Sequence, residues 1–140
     1  MVRAISSAEI LSATDLLENY AAECSIPLIG EINPQPQMYE AMERAGILKC
    51  FGFYEGFALV GFATVLTMIL PHYGKKVATV ESLFAKRGGK DLMAAIEAYA
   101  KESGCVVIAY SAPAGGKLER LLSLKKSMKR TNAIFCRSLM

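Results

Sequence analysis

The segment that decides the fold is VATVESLFAKRGGKDLMAAIEAYAKESGC, residues 77–105. Lys76 to Phe84, which covers the start of this segment and the residue before it, has the composition and alternation of a β-strand. The pair Gly88-Gly89 breaks the chain, and Asp91 to Ser103 then shows the apolar periodicity of an amphipathic helix. Cys105 to Tyr110 is a continuous apolar run of β type, typical of a buried parallel strand. The segment therefore predicts a β-α-β crossover that joins two parallel strands.

The flanking sequence extends this unit in both directions. The N-terminal part predicts a strand at Val2 to Ile5, a helix over Ile10 to Ala21, a loop over Ser25 to Gln37 and a helix at Gln37 to Ala45. Strands at Ile47 to Tyr54 and Phe57 to Leu70 follow, joined by a turn at Glu55-Gly56. The C-terminal part predicts a helix at Lys117 to Leu124 and a closing strand at Thr131 to Leu139. The predicted order is β-α-α-β-β-β-α-β-α-β. This is an α/β fold with a mixed sheet of six or seven strands and flanking helices.

Length and composition limit the alternatives. The chain has 140 residues, of which 53% are apolar and 21% charged, so we expect one domain, residues 1–140, with a well-formed core. The most apolar stretch, Phe57 to Leu70, is shorter than the roughly 18 to 20 residues of a membrane-spanning helix. The N-terminal residues form an acidic helical pattern without the apolar run of an export signal. These features predict a cytoplasmic protein without a membrane partner.

Cysteine and histidine spacing predicts no metal site. The four cysteines lie far apart beside apolar residues, and His72 is the only histidine. No Cys-x-x-Cys or mixed Cys/His ligand spacing occurs, so reduced thiols are the favoured interpretation. His72 follows Pro71 in a predicted turn, where we interpret it as a solvated residue rather than a catalytic base.

The net charge of +3 is small, but basic residues crowd the C-terminal end of the chain. They are Lys117, Arg120, Lys125, Lys126, Lys129, Arg130 and Arg137. Three interpretations stay open: a solvated surface, a site that attracts a nucleotide phosphate, or a surface that steers toward an acidic partner or a nucleic acid. Phe135 is the only aromatic residue near these basic residues, so base stacking and a nucleic-acid partner have little support.

Three segments resemble the GNAT acyltransferase superfamily. They are the hairpin passage EGFALVGFATVL, the strand-turn-helix-strand segment over residues 77–105, and the C-terminal passage LLSLKKSMKRTNAIFCRSL. The resemblance covers nearly the whole chain through its element order. It implies the GNAT fold and, because of the short length, a trimmed member similar to those in phage genomes.

The resemblance implies acetyl-CoA as co-substrate, bound where two parallel strands splay apart. Backbone groups near Leu83 and Ala85 would pair with the pantetheine arm. The glycine turn at the helix start would hold the pyrophosphate, since unpaired N–H groups and the helix dipole favour an anion. The implied cofactor-binding residues are Leu83, Phe84, Ala85, Lys86, Arg87, Gly88, Gly89, Lys90 and Asp91. The turn is shorter than the family's, so either Gly89 matches the final motif position or Arg87-Gly88 opens a shortened motif.

Candidate catalytic residues follow from the same comparison. Glu81 matches a strand position where the family carries a glutamate that deprotonates the acceptor amine through water; an exposed or lysine-paired carboxylate is the alternative. Strand alternation predicts that Glu81 shares a face with Leu83 and that Ser82 shares the other with Phe84. Ser123 occupies the position of the family's tyrosine acid, and Tyr110, at a strand end, is a substitute.

Taken together, these features predict an N-acetyltransferase that moves an acetyl group from acetyl-CoA to a primary amine of a small molecule or peptide. The resemblance implies that the acceptor enters past the loop of residues 25–37 and the long hairpin of the two strands at Ile47 to Tyr54 and Phe57 to Leu70. A GNAT-like binding or structural module without catalysis is the main alternative, and an enzyme that acts on a nucleic acid or protein with another acyl donor is a weaker one. The sequence leaves the oligomeric state open, with a homodimer as one option.

Overall fold

A computed structural model describes residues 1–140. The elements in chain order are β1 (Val2–Ile5), α1 (Ser7–Ser12), α2 (Thr14–Cys24), α3 (Pro36–Arg44), β2 (Leu48–Glu55), β3 (Ala58–Leu70), β4 (Lys75–Ala85), α4 (Gly89–Glu102), β5 (Ile108–Tyr110) and α5 (Lys117–Ser123). No helix is both long enough and apolar enough to cross a bilayer.

The strands form one mixed sheet in the order β1-β2-β3-β4-β5. Neighbours from β1 to β4 are antiparallel, whereas β5 runs parallel to β4 with Ala78 opposite Ile108 and Val80 opposite Tyr110. The predicted β-α-β crossover and the antiparallel pairing before it are therefore confirmed. The hairpin between β2 and β3 closes at Glu55 and Ala58, around Gly56 with φ +59°.

Helices cover both faces of the sheet and define two cores. On one face α4 buries Leu92, Ile96 and Ala100 against Ala63, Val65 and Val80 of the central strands. On the other face α1 and α2 bury Ile10 and Leu16 against Leu48, Cys50 and Phe62. The two sets alternate along β3, as expected of a strand with a helix layer on each side. The face that carries α1, α2 and α3 is called the cleft face below.

The predicted helix over Ile10 to Ala21 is two helices, separated at Ala13. In one continuous helix Ile10 and Leu16 would point about 120° apart. The break lets both side chains enter the same core, where they are 4% and 3% exposed. Burial of both apolar groups explains a break that helical periodicity alone does not reveal.

The prediction of six or seven strands is wrong, because the sheet has five. Residues 131–139 form no strand, and Ile134, Phe135 and Leu139 are exposed. The prediction of a six-residue buried strand at Cys105 to Tyr110 is also too long, since β5 has three residues. With no sixth strand beside β5, Val106 and Val107 stay more than half exposed although their backbones bond to β4.

Candidate active site

Glu81 lies at an irregularity in the ladder between β3 and β4. Thr64 pairs with Ser82 and the next residue, Val65, pairs with Val80, so Glu81 is an extra residue on β4. Such a bulge interrupts the alternation of side chains and redirects one of them. Leu83 packs on the α4 core, whereas Glu81 and Ser82 both reach the cleft face. The predicted pairing of Glu81 with Leu83 on one face is therefore wrong, because it assumed a regular strand.

Two hydroxyl groups hold the Glu81 carboxylate. The Tyr39 hydroxyl donates to Oε1 at 2.9 Å, and the Thr64 hydroxyl donates to Oε2 at 2.6 Å. Thr64 Oγ1 also lies 2.6 Å from Ser82 Oγ. Tyr39 comes from α3, Thr64 from β3 and Glu81 from β4, so three elements fix one carboxylate. Each of its oxygens keeps room for a further donor.

A cleft of about 210 Å³ opens beside this network on the cleft face. It lies between α1, α2, the loop before α3 and the sheet. Its lining is Ser7, Ile10, Leu11, Leu17, Tyr20, Ile32, Asn33, Pro34, Tyr39, Phe62, Thr64, Glu81 and Ser82. Glu81 is the only carboxyl side chain in that set, which contains no lysine, arginine or histidine. Residues 32–34 belong to the loop that the sequence predicted at the acceptor entrance.

Two tyrosines of the cleft are held neutral. Burial, and then the negative charge of Glu81, raise the pKa of Tyr20 to about 12. Burial likewise raises the pKa of Tyr39, with further contributions from the charge of Glu81 and the hydrogen bond to it. Both phenols are therefore proton donors near neutral pH, and neither adds charge to the cleft. Tyr20 also packs edge-on against Phe62 with ring centroids 5.5 Å apart.

The edge of β4 beyond Val80 has no strand beside it, because β5 pairs only with residues 78–80. The Lys86 N–H donates to the Val60 carbonyl of β3 at 2.9 Å. Alternation along the strand therefore directs the backbone groups of Leu83 and Ala85 to the opposite, open edge. The resemblance implied that two parallel strands splay apart here; the structure shows that β5 ends at Tyr110 and leaves this edge of β4 open.

The start of α4 offers unpaired amides. Gly88 precedes the helix with φ +82°, and the N–H groups of Gly89, Lys90 and Asp91 have no acceptor within the chain. A Cβ on Gly88 would overlap the Phe53 ring, whereas one on Gly89 would meet only Ala85 Cβ, at 3.8 Å. Gly88 is thus required by the turn, and Gly89 is not.

The connection between β4 and α4 is only three residues long, and the positive charge of one of them is paired with a carboxylate. Arg87 Nε forms an ion pair with Glu55 of the β2–β3 turn. Of the predicted cofactor residues, none from Leu83 to Asp91 lines the cleft. They lie on the continuation of β4 and at the start of α4, past the Glu81 bulge.

The structure does not bring Tyr110 or Ser123 to Glu81. Tyr110 packs on the α4 side of the sheet, and its hydroxyl donates to Glu97 Oε1 of α4 at 2.9 Å. Burial and this hydrogen bond raise the pKa of Tyr110. The Ser123 hydroxyl donates to the Glu119 carbonyl within α5 at 2.7 Å. Neither hydroxyl lines the cleft.

Sequence reasoning missed Tyr39, Tyr20 and Thr64. Tyr20 was assigned to a helix core, and Tyr39 lies in a helix that carried no functional signal. Their shared location depends on α2 and α3 packing beside the Glu81 bulge, which no local pattern encodes. The only available signal was the position of Tyr39 directly after a long proline-rich loop.

Solved structures share this fold. An aminoglycoside acetyltransferase from an uncultured soil metagenomic sample, in complex with sisomicin, superposes with TM-score 0.75 at 15% identity, covering 100% of this chain and 96% of the other. A predicted acetyltransferase with acetyl-CoA from Clostridium acetobutylicum gives 0.73 at 14%, over 99% and 96%. A ribosomal-protein-alanine N-acetyltransferase from Brucella melitensis gives 0.67 at 16%, over 98% and 99%.

No protein-family model and no curated protein matches the sequence. At these identities the similarity establishes the fold. The chain has the fold of the GNAT acetyltransferases, as the resemblance implied.

Proposed function

From the GNAT fold and the Glu81 network, we propose that the chain transfers an acetyl group from acetyl-CoA to a primary amine. One observation carries the proposal: a bulge in β4 directs the Glu81 side chain toward the cleft, next to the point where the pairing of β4 with β5 ends. Glu81 and Leu83 are two positions apart, which is about 6 to 7 Å along a strand. A group at the open edge and an amine in the cleft would therefore meet beside Glu81.

The residues present have the chemistry that acetyl-CoA requires. The open edge of β4 offers the backbone groups of Leu83 and Ala85 to an extended amide chain. The unpaired amides of Gly89, Lys90 and Asp91 suit a phosphate, with Lys86 and Lys90 next to them in the chain. When bound, acetyl-CoA supplies an activated thioester. The short connection and the Arg87–Glu55 pair leave fewer donors for phosphate than a long glycine-rich loop offers.

In the proposed reaction Glu81 takes a proton from the acceptor ammonium, directly or through one water, and the free amine attacks the thioester carbonyl. The C–N bond forms, the C–S bond breaks, and the leaving thiolate takes up a proton. Tyr39 and Thr64 act as positioning residues because their hydrogen bonds fix the carboxylate. Backbone N–H groups at the open edge of β4 polarise the carbonyl.

Titration calorimetry with acetyl-CoA, followed by mass spectrometry of a panel of amines incubated with the protein, tests the proposal. We expect saturable binding of acetyl-CoA and an increase in mass of one acetyl group on at least one amine. Pantetheine and free adenosine diphosphate are the controls for the two halves of the site. Absence of both binding and acetylation would contradict the proposal.

A non-catalytic binding module is the second candidate, and the three-residue β4–α4 connection favours it. In that case the Glu81 cleft would still bind an amine while acetyl-CoA fails to bind. The same titration separates the two, because the module predicts no heat with acetyl-CoA.

A further inference from the structure

Beyond the general transfer reaction, we infer that the cleft selects a compact monoamine with an apolar body and excludes polycationic amines. The inference rests on the proposed function in taking the cleft as the acceptor site. It is drawn from the charge, size and lining of the cleft.

The charge of the cleft fits one ammonium group. Glu81 is its only carboxylate, and both tyrosines at its walls are neutral. The nearby Glu43 is not part of the lining, and its oxygens accept from the Ser7 amide at 3.1 and 3.2 Å and from the Ser7 hydroxyl. A second buried ammonium would therefore have no partner and would be costly to desolvate.

The walls of the cleft fit an apolar body. The cleft is lined by aliphatic side chains and by the rings of Tyr20 and Phe62; the aliphatic residues are Ile10, Leu11, Leu17, Ile32 and Pro34. An aromatic ring offers its face both to an apolar substituent and to a cation. Ser7, Asn33, Thr64 and Ser82 supply the remaining polar groups. An amine of this kind buries its body against the walls and leaves its ammonium at Glu81.

The size of the cleft fits a compact molecule. Its volume of about 210 Å³ is below the roughly 300 to 1,000 Å³ of pockets for drug-sized ligands. A smaller groove of about 190 Å³ adjoins it, sharing Leu11, Leu17, Ile32 and Pro34 and carrying the exposed Glu18. Because Glu18 is exposed, an ion pair between it and a second amine of a longer molecule would contribute little. A linear diamine is therefore the critical comparison.

The test is binding to the whole chain without acetyl-CoA, measured by calorimetry and by chemical-shift changes. The probes are 2-phenylethylamine, 2-phenylethanol, ethylamine, 1,7-diaminoheptane with heptylamine, and the polycation neamine. We expect 2-phenylethylamine to bind at least tenfold more tightly than 2-phenylethanol, ethylamine and neamine. Heptylamine should bind as tightly as the diamine within threefold. Tighter binding of neamine, a tenfold advantage of the diamine, or no binding of any amine would overturn the inference.

Two variants keep the test independent of folding. Glu81→Gln should reduce the affinity for 2-phenylethylamine at least tenfold and leave that for 2-phenylethanol unchanged. Ile32→Glu, in the loop before α3, should shift the preference toward 1,7-diaminoheptane at least tenfold. An unchanged preference in the Ile32 variant would overturn the inference. Addition of acetyl-CoA then tests the reaction separately: amine binding without acetylation refutes the proposed function but leaves the selectivity of the cleft standing.

Discussion

The Tyr39 hydroxyl donates a 2.9 Å hydrogen bond to Glu81 across 42 positions of sequence. The contact joins α3 to β4 at the residue that the bulge turns out of the strand. It places a neutral phenol beside an exposed carboxylate in the lining of the cleft. This relationship defines both what the site can do and how it can be tested.

Removal of the Glu81 carboxylate is expected to abolish most of the proposed activity. Glu81→Gln keeps the shape and removes the base, so kcat/KM for acetylation should fall roughly 10²- to 10⁴-fold. The affinity for acetyl-CoA, measured by calorimetry, should be unchanged because the backbone edge of β4 is retained. Acetylation at the parent rate would show that Glu81 is not the base.

Removal of the Tyr39 hydroxyl is expected to have a smaller effect through Glu81. A hydrogen bond to a charged group contributes about 1.5 kcal/mol or more, so Tyr39→Phe should reduce kcat roughly tenfold. The KM for acetyl-CoA should stay constant. The matched control is Tyr20→Phe, because Tyr20 lines the same cleft without bonding to Glu81. Equal losses in both variants would contradict a positioning role for Tyr39.

The two glycines before α4 are expected to respond differently to alanine. Gly88→Ala combines a left-handed backbone with overlap on the Phe53 ring, so the free energy of unfolding should fall by about 2 to 4 kcal/mol. Gly89→Ala has room and should be neutral or slightly stabilising. Urea unfolding measures both. If Gly89→Ala nevertheless weakens acetyl-CoA binding, its flexibility serves the ligand rather than the fold.

Tyr110 is expected to stabilise the fold without serving the reaction. Its hydroxyl bonds to Glu97 on the α4 side of the sheet, away from the cleft. Tyr110→Phe should therefore lower the free energy of unfolding by about 1 kcal/mol or more and leave acetylation within twofold of the parent. A large fall in kcat with unchanged stability would restore Tyr110 as a candidate acid.

Stability is expected to decline in alkali. Burial raises the pKa of the Cys50 thiol from 9.0 to about 12 and that of Tyr20 from 10.0 to about 12. The unfolded chain loses these protons first, so stability is fully present below about pH 9 and is lost as the pH rises toward 12. Urea unfolding from pH 7 to 11 measures this decline. The Cys50→Ala variant should show a shallower slope above pH 9; an identical slope would contradict the assignment.

The sequence by itself determined the antiparallel strands, the parallel crossover and the helix on it. These features follow from local patterns of apolar residues and glycines, which act over a few neighbouring positions. It also indicated Glu81 as a candidate, because a carboxylate is conspicuous on an apolar strand. The final strand could not be settled in the same way, since a β-type pattern forms a strand only where an edge is available to pair with it.

The tertiary structure alone decided which residues surround Glu81. The bulge between Thr64 and Val65 depends on pairing with a second strand, and it placed Glu81 on the same face as Ser82 and not Leu83. Tyr39 bonds to the carboxylate, and Tyr20 lines the same cleft, only because α2 and α3 pack on that face. Tyr110 is turned to the other face by its register with Val80. Contacts between residues tens of positions apart arise from packing and strand register, which no local pattern in the chain specifies.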